Sequence, residues 1–154
     1  MKHSFSHTLL TAACAAAFVC NLPAADGGFV SLFDGKTLEG WEQHSGKAEY
    51  RVEGGAIVGK TVANTVTSFM CTKKKYGDFI FEFEFKVNPK MNSGVQFRSE
   101  YYTKETENEV NGKKRKFPAD SVYGYQYEID PSARAYTGGV YDEARRGWLA
   151  DLKS

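Results

Sequence analysis

Residues 79–87 read FIFEFEFKV, and their period of two decides the fold class. Phe79, Phe81, Phe83, Phe85 and Val87 alternate with Ile80, Glu82, Glu84 and Lys86. That pattern predicts a strand with one buried face and one mostly wet face. Weaker runs of the same kind lie at 29–33 (FVSLF), 49–52 (EYRV), 56–58 (AIV), 66–71 (VTSFMC), 94–99 (GVQFRS), 122–130 (VYGYQYEID) and 139–141 (GVY). Turn signals separate them, among them Asp34-Gly35, Glu53-Gly54-Gly55, Tyr76-Gly77-Asp78, Asn88-Pro89 and Gly138-Gly139. No segment carries a helical stripe over three turns. Many short strands at this spacing predict an all-β antiparallel sandwich or barrel rather than βα units.

The 154 residues suit one domain. With 20 basic against 19 acidic side chains the net charge is +1, too little for a protein that draws its affinity from nucleic-acid phosphates. Eleven Phe, nine Tyr and two Trp supply more apolar surface than a disordered chain would carry. Residues 1–25 read as a secretory signal peptide: a basic start at Lys2, an apolar stretch from Leu9 to Val19, and small residues at Ala24 and Ala25. The stretch is shorter than the roughly 20 residues that span a bilayer, and no other run approaches that length, so no transmembrane segment is expected. Export to the periplasm or the extracellular space follows. A lipid-anchored variant acylated at Cys20 is the weaker reading, because Val19 stands where a small residue is expected.

Residues 26–154 then form the domain. Lys2 is the one charged side chain in the leader, so the remainder is charge-balanced, and it keeps one cysteine, Cys71, and one histidine, His44. No intrachain disulfide and no Cys/His zinc site can be built from these. Cys71 is expected to be a buried structural residue. The segment 101–120 differs in composition, with Glu105, Glu107 and Glu109 followed by Lys113, Lys114, Arg115 and Lys116. It reads as a long surface loop or hairpin extension, solvated and balanced by its own two halves, and such a loop can also rim a cleft.

Strand parity suggests a site. Around 126–130, Gln126, Glu128 and Asp130 share one face, and Tyr125, Tyr127 and Ile129 the other. The same test on 94–99 pairs Gln96 with Arg98, opposite Val95 and Phe97. If these strands are neighbours, five hydrogen-bonding side chains line one face. Such a face suits a sugar, whose hydroxyls are read by carboxylates, amides and guanidinium forks while aromatic planes cover its C–H surface. Tyr123, Tyr125, Tyr136, Tyr141 and Trp148 are the aromatic candidates. The competing reading is that every second residue of an exposed antiparallel sheet is polar for solubility alone. Glu128 and Asp130, about 7 Å apart along a strand, would also suit acid–base work as a coupled or glycosidase-like pair.

Several segments together carry a family resemblance: SLFDGKTLEGW (31–41), YRVEGGAIVG (50–59), KKKYGDFIFEFEFKV (73–87), NSGVQFRS (92–99) and YGYQYEIDPSARAYTGGVYDEARRGW (123–148). In this order they resemble the 3-keto-disaccharide hydrolase domain family. The resemblance implies a concanavalin-like (laminin-G-like) jelly roll of two antiparallel sheets, exported and active on 3-keto-glycosides made by a partner oxidoreductase. A carbonyl at C3 acidifies the hydrogen at C2, so a base can remove it and expel the C1 substituent, after which water adds. Such chemistry needs a base, an acid and an enolate-stabilising donor. Carried onto matching positions, Glu128 or Asp130 is base or acid and Arg98 contacts the enolate or a hydroxyl. Gln96, Gln126, Tyr123, Tyr141, Glu143, Arg145, Arg146 and Trp148 are candidate substrate contacts. Family domains continue with further strands after the GW segment, so the jelly roll is expected to be incomplete at the C-terminus.

Two other functions fit the same fold. A laminarinase-type retaining glucanase would carry Glu-Ile-Asp followed by a second Glu three residues after the Asp. Glu128-Ile129-Asp130 matches, but Ala133 stands where the acid/base should be. A non-catalytic, lectin-like module is the other, since fold alone does not decide function. Asp130, Asp142 and Glu143 make no recognisable calcium loop, so no metal and no cofactor is expected.

Overall fold

The computed structural model describes residues 28–150. The chain divides into two compact units, Met1–Leu32 and Phe33–Ser154. Of the first, only 28–32 is described, a turn at Gly28 followed by irregular backbone; the leader expected over 1–25 lies outside the described residues.

The second unit is all-β and antiparallel, as the alternation predicts, and agrees with a β-sandwich. Its strands are β1 (Trp41–Ser45), β2 (Glu49–Glu53), β3 (Ala56–Lys60), β4 (Ser68–Thr72), β5 (Ser93–Tyr101), β6 (Thr106–Val110), β7 (Lys113–Phe117), β8 (Val122–Ile129), β9 (Val140–Glu143) and β10 (Gly147–Ala150). A four-stranded sheet in the order β10-β9-β8-β5 is flanked by three two-stranded pairs, β1-β4, β2-β3 and β6-β7. No described helix is long and apolar enough to cross a membrane. The 101–120 segment is a hairpin, turning at Asn111-Gly112 with φ of 49° and 73°. Left-handed conformations at both central residues make the turn whose twist matches the flanking strands, and Asn-Gly is its favoured sequence.

Three expectations fail locally. Residues 29–33 form no strand; instead the Asp34 carboxylate accepts the Lys36 and Thr37 N–H groups and the Thr37 hydroxyl, which hold its pKa at about 2. Residues 79–87 pair with no strand among the described residues, and Phe79, Phe81, Phe83 and Phe85 are exposed. Their alternation survives nonetheless: Phe81 stacks on Phe83 at 5.1 Å, Phe83 meets Phe85 at 5.9 Å, and Phe83 meets Tyr127 edge-on at 6.2 Å. Alternation fixes which side chains share a face, whereas ladder bonds and burial need neighbouring segments. Cys71, finally, is half-buried rather than buried, its thiol pushed up to about 11 by burial and then by Glu42 and Asp120. That suits a structural role and not a nucleophile, which would need a lowered pKa.

One carboxylate joins β1 to the β7–β8 connection. Asp120 Oδ1 meets His44 Nδ1 at 2.5 Å, and Asp120 Oδ2 accepts the Ser45 N–H at 2.8 Å. Glu42 lies 3.3 Å from the other ring nitrogen, and the imidazole stacks on Tyr101 at 4.1 Å. Ser45 and Asp120 both have positive φ, 59° and 71°, so the clamp offsets two uncommon backbone conformations. Burial opposes the imidazolium, but Asp120 and Glu42 outweigh it and raise the His44 pKa above 6.5; His44 and the Ser45 N–H lower that of Asp120 below 3.8. The imidazolium's contribution is therefore full below pH 6.5 and fades as pH rises through its folded-state value, while that of Asp120 fades as pH falls through its own. Asp120→Asn is expected to lower stability by about 1 kcal/mol at pH 6 and by less at pH 9, measured by urea denaturation at both. An equal loss at the two pH values would contradict an ionised clamp.

Candidate functional site

The four-stranded sheet carries a polar row across its full width. Gln96 on β5 is paired with Gln126 on β8, Gln126 with Tyr141 on β9, and Tyr141 with Trp148 on β10. Antiparallel partners project to the same face, so register alone aligns these four. One step along, Glu128 stands opposite Gly94, and on the other side Glu143 stands opposite Gly124.

A directional hydrogen-bond chain runs along this face. Ser99 Oγ donates to Gln96 Oε1 at 2.8 Å, Gln96 Nε2 to Gln126 Oε1 at 2.9 Å, and Gln126 Nε2 to Glu128 Oε2 at 2.7 Å. The Asn92 amide donates to the other carboxylate oxygen. Glu128 is 3% exposed, and a buried carboxylate requires such donors. Gly94 leaves the room: a Cβ there would stand 2.4 Å from the Gln126 amide carbon.

Arg98 is not on this face, contrary to the parity expectation. The β5–β8 register shifts between Phe97 and Glu100, and Arg98 sits in the bulge with φ of 49°. A bulge inserts a residue and reverses the alternation beyond it. Ser99 consequently takes the polar face, while the exposed Arg98 guanidinium pairs with Asp78 at 2.6 Å. Its place beside the carboxylates is taken by Arg134, from the β8–β9 loop. Arg134 Nη2 lies 2.7 Å from Asp130 Oδ2 and 4.0 Å from Glu128 Oε1. Backbone bonds from Glu128 N–H to Gly139 O and from Gly138 N–H to Glu128 O fold that loop back. Asp130, 1% exposed, anchors it by accepting the Ser132 N–H, and its pKa is lowered by Ser132 and then Arg134.

A cleft of about 270 Å³ opens over the row, lined by Asn92, Asn111, Gln126, Glu128, Arg134, Tyr141, Glu143 and Trp148. Trp148 meets Tyr141 edge-on at 5.0 Å and Tyr136 at 4.8 Å. Burial raises the Glu143 carboxyl pKa, opposed by the Ala144 N–H and reinforced by Glu128 and Asp142. Burial also raises the Tyr141 phenol, with Glu143 next. Two carboxyl groups thus sit in different environments: one accepts amide hydrogens at both oxygens, and the other is driven toward its neutral form. A larger hollow, about 370 Å³, lies beside Asp120. Asp120 is its one carboxylate and is already engaged by His44 and Ser45.

Of the remaining expected contacts, Tyr123, Arg145 and Arg146 do not line the cleft. Asp142, with the opposite parity to Tyr141 and Glu143, is fully buried and pairs with Arg145 at 2.7 Å and Arg146 at 2.5 Å. Arg145 lies over the Tyr123 and Tyr125 rings, Arg146 Nη2 reaches the Tyr125 hydroxyl, and Tyr123 stacks on Tyr102. These groups neutralise a buried charge. Gln96 stands one residue behind the lining, holding Gln126.

Sequence reasoning missed Asn92, Asn111 and Arg134. Asn92 was within reach, since it shares the even parity of Gly94 and Gln96. The other two come from a hairpin tip and a loop, where no periodicity applies.

The family model described as the 3-keto-alpha-glucoside-1,2-lyase-like domain matches residues 28–153. The chain belongs to this family. The 3-keto-alpha-glucoside-1,2-lyase-like domain is carbohydrate-active, in keeping with a cleft that joins aromatic faces to carboxylate, amide and guanidinium groups. No curated protein matches the chain significantly.

Gly94→Ala is expected to cost about 1–3 kcal/mol, because the new methyl collides with the Gln126 amide that holds Glu128. Gly77→Ala, with open space around it, should stay within about 0.5 kcal/mol. Chemical denaturation compares the two, and equal effects would mean the close approach is not real.

Proposed function

We propose that the protein cleaves the glycosidic bond of 3-keto-glycosides by elimination followed by hydration. The observation that carries this reading is the pair of unlike carboxyl groups, Glu128 and Glu143, in one cleft beside Arg134. Burial favours the protonated form of Glu143 and so suits it to the acid role, which leaves the hydrogen-bonded Glu128 carboxyl as the base. Glu128, whose two oxygens accept amide hydrogens, takes the proton from C2; the C–H electrons form the C2–C3 double bond of an enolate whose oxygen faces Arg134. Collapse of the enolate re-forms the C3 carbonyl, makes the C1–C2 double bond and expels the C1 oxygen, which takes its proton from Glu143. Water then adds its oxygen to C1 and a proton returns to C2, giving the free 3-keto-sugar. Arg134 replaces Arg98 as the candidate for the developing negative charge, and Asp130 holds Arg134 in position. Tyr141 and Trp148 cover the ring.

The family description names 3-keto-alpha-glucosides, which supports the choice of substrate class. The substrate calls for an oxidoreductase that oxidises C3 upstream, and the leader-like segment supports a periplasmic or extracellular place for this protein. The neutral charge supports no role with nucleic acid.

Glu128→Gln is expected to reduce release of the aglycone from a 3-keto-glucoside at least about 100-fold, with an unchanged circular-dichroism spectrum. Undiminished turnover would remove Glu128 from the chemistry. Because burial raises the Glu143 pKa above 4.5, turnover should fall as pH rises through the raised pKa and the acid is lost. Glu143→Gln should abolish this alkaline limb for a poor leaving group. Cleavage of the 3-keto-glucoside but not of the unoxidised glucoside separates this reaction from a glucanase, and binding of either without cleavage would indicate a lectin-like module.

A further inference from the structure

The β6–β7 hairpin contributes a side chain to the cleft that neither its composition nor its loop position foretells. Asn111 at its tip lines the cavity. The tip is docked by its own backbone, since the Asn111 N–H donates to Arg146 O at 3.1 Å. Behind it, Asn108 Nδ2 donates to the Ala144 carbonyl at 2.8 Å and to the Tyr102 hydroxyl at 2.5 Å. Val110, 3% exposed, secures the end of β6. The hairpin is thus fixed against the β9–β10 turn at several points.

The orientation of the Asn111 amide is decided by its neighbour. The Trp148 N–H donates to Asn111 Oδ1 at 3.2 Å, and an N–H can face only the oxygen end of an amide. Nδ2, with two hydrogens, is turned the other way; burial and then Glu143 raise the Tyr141 phenol pKa, and the Asn111 side chain partly opposes them. Among the described residues, the bond that fixes the Asn111 side chain uses Oδ1 and leaves the Nδ2 hydrogens for the cleft. Gly147 makes the approach feasible: its φ is +84°, and a Cβ there would stand 2.1 Å from Asn111 Oδ1.

We propose that Asn111 is a substrate-positioning residue, donating an amide N–H to a hydroxyl or ring oxygen of the sugar at the Tyr141–Trp148 end of the cleft. This rests on the carbohydrate reading above. The groups facing it are complementary: Glu128 and Glu143 supply acceptors or an acid proton, so a sugar bound between them meets acceptors on the β8 side and a donor on the hairpin side. The site is assembled from two separate sheets, and the β6–β7 pair, which is not part of the four-stranded sheet, delivers the donor.

The test uses two substitutions that keep the turn. Asn111→Gly retains the left-handed conformation and removes the side chain. Asn111→Asp also tolerates that conformation and keeps an acceptor for the Trp148 N–H, but has no amide hydrogen to give. Calorimetric titration of wild type and both variants with methyl 3-keto-α-glucoside, on protein carrying Glu128→Gln to stop turnover, is expected to show binding weakened about tenfold in each variant, the worth of one hydrogen bond. Thermal unfolding should remain within a few degrees of the parent, and in Asn111→Gly the Tyr141 phenol should titrate at higher pH in an ultraviolet difference spectrum. Wild-type-like affinity in both variants, alongside clear binding by the parent, overturns the role of Asn111 and leaves the carbohydrate reading intact. Absence of binding by the parent overturns that reading, and this inference with it. In Glu128-intact protein, a positioning role raises KM for the 3-keto-glucoside more than it lowers kcat; an equal kcat loss with unchanged KM contradicts it.

Discussion

A buried carboxylate has to be given hydrogens, and the need to do this for Glu128 organises the four-stranded sheet. Its donors are side-chain amides, Asn92 and Gln126, and the second is itself held by Gln96, which Ser99 orients. Each amide in such a chain can present only one end to each neighbour, so the direction of every member is fixed once the carboxylate fixes the first. The arrangement exists only because β5 and β8 pair with Gly94 opposite Glu128 and Gln96 opposite Gln126. A slip of one residue in either strand would send that strand's groups to the aromatic face and break the chain.

The two faces of this sheet solve different electrostatic problems. On the cleft face, charge is kept available: Glu128 is held by neutral amides, Glu143 is pushed toward protonation, and Arg134 stands 4.0 Å from Glu128. On the opposite face, charge is consumed: Asp142 takes both Arg145 and Arg146, which lie against Tyr125. A fully buried carboxylate needs its charge met, and the two guanidinium groups that meet it are held to that side of the sheet. This is why arginines adjacent in sequence to Tyr141 and Glu143 do not join them in the cleft.

The bulge at Arg98 shows how one residue redistributes function. Alternation along 94–99 assigns Arg98 to the polar face, and a regular ladder would have delivered it there. With an additional residue in the strand, Ser99 enters the hydrogen-bond chain, and Gly124 accommodates it where a Cβ would stand 2.1 Å from Ser99 Oγ. The cation next to the carboxylates is then supplied by a loop that the Asp130 side chain and two backbone bonds close.

The amino-acid order alone settles the all-β class, the partition of Gln126 and Glu128 from Tyr125 and Tyr127, and the common face of Phe79, Phe81, Phe83 and Phe85. All of these follow from the two-residue repeat of an extended backbone, a property of each segment by itself. Tertiary structure decided which strands became neighbours, where the ladder bulged, and whether a segment found partners, so the Phe79–Phe85 row keeps its parity while lying exposed. It also decided that Asn111 and Arg134, from a hairpin tip and a loop, meet Glu128 and Glu143. Those outcomes depend on hydrogen bonds and contacts between residues distant along the chain, and no local repeat encodes such distances.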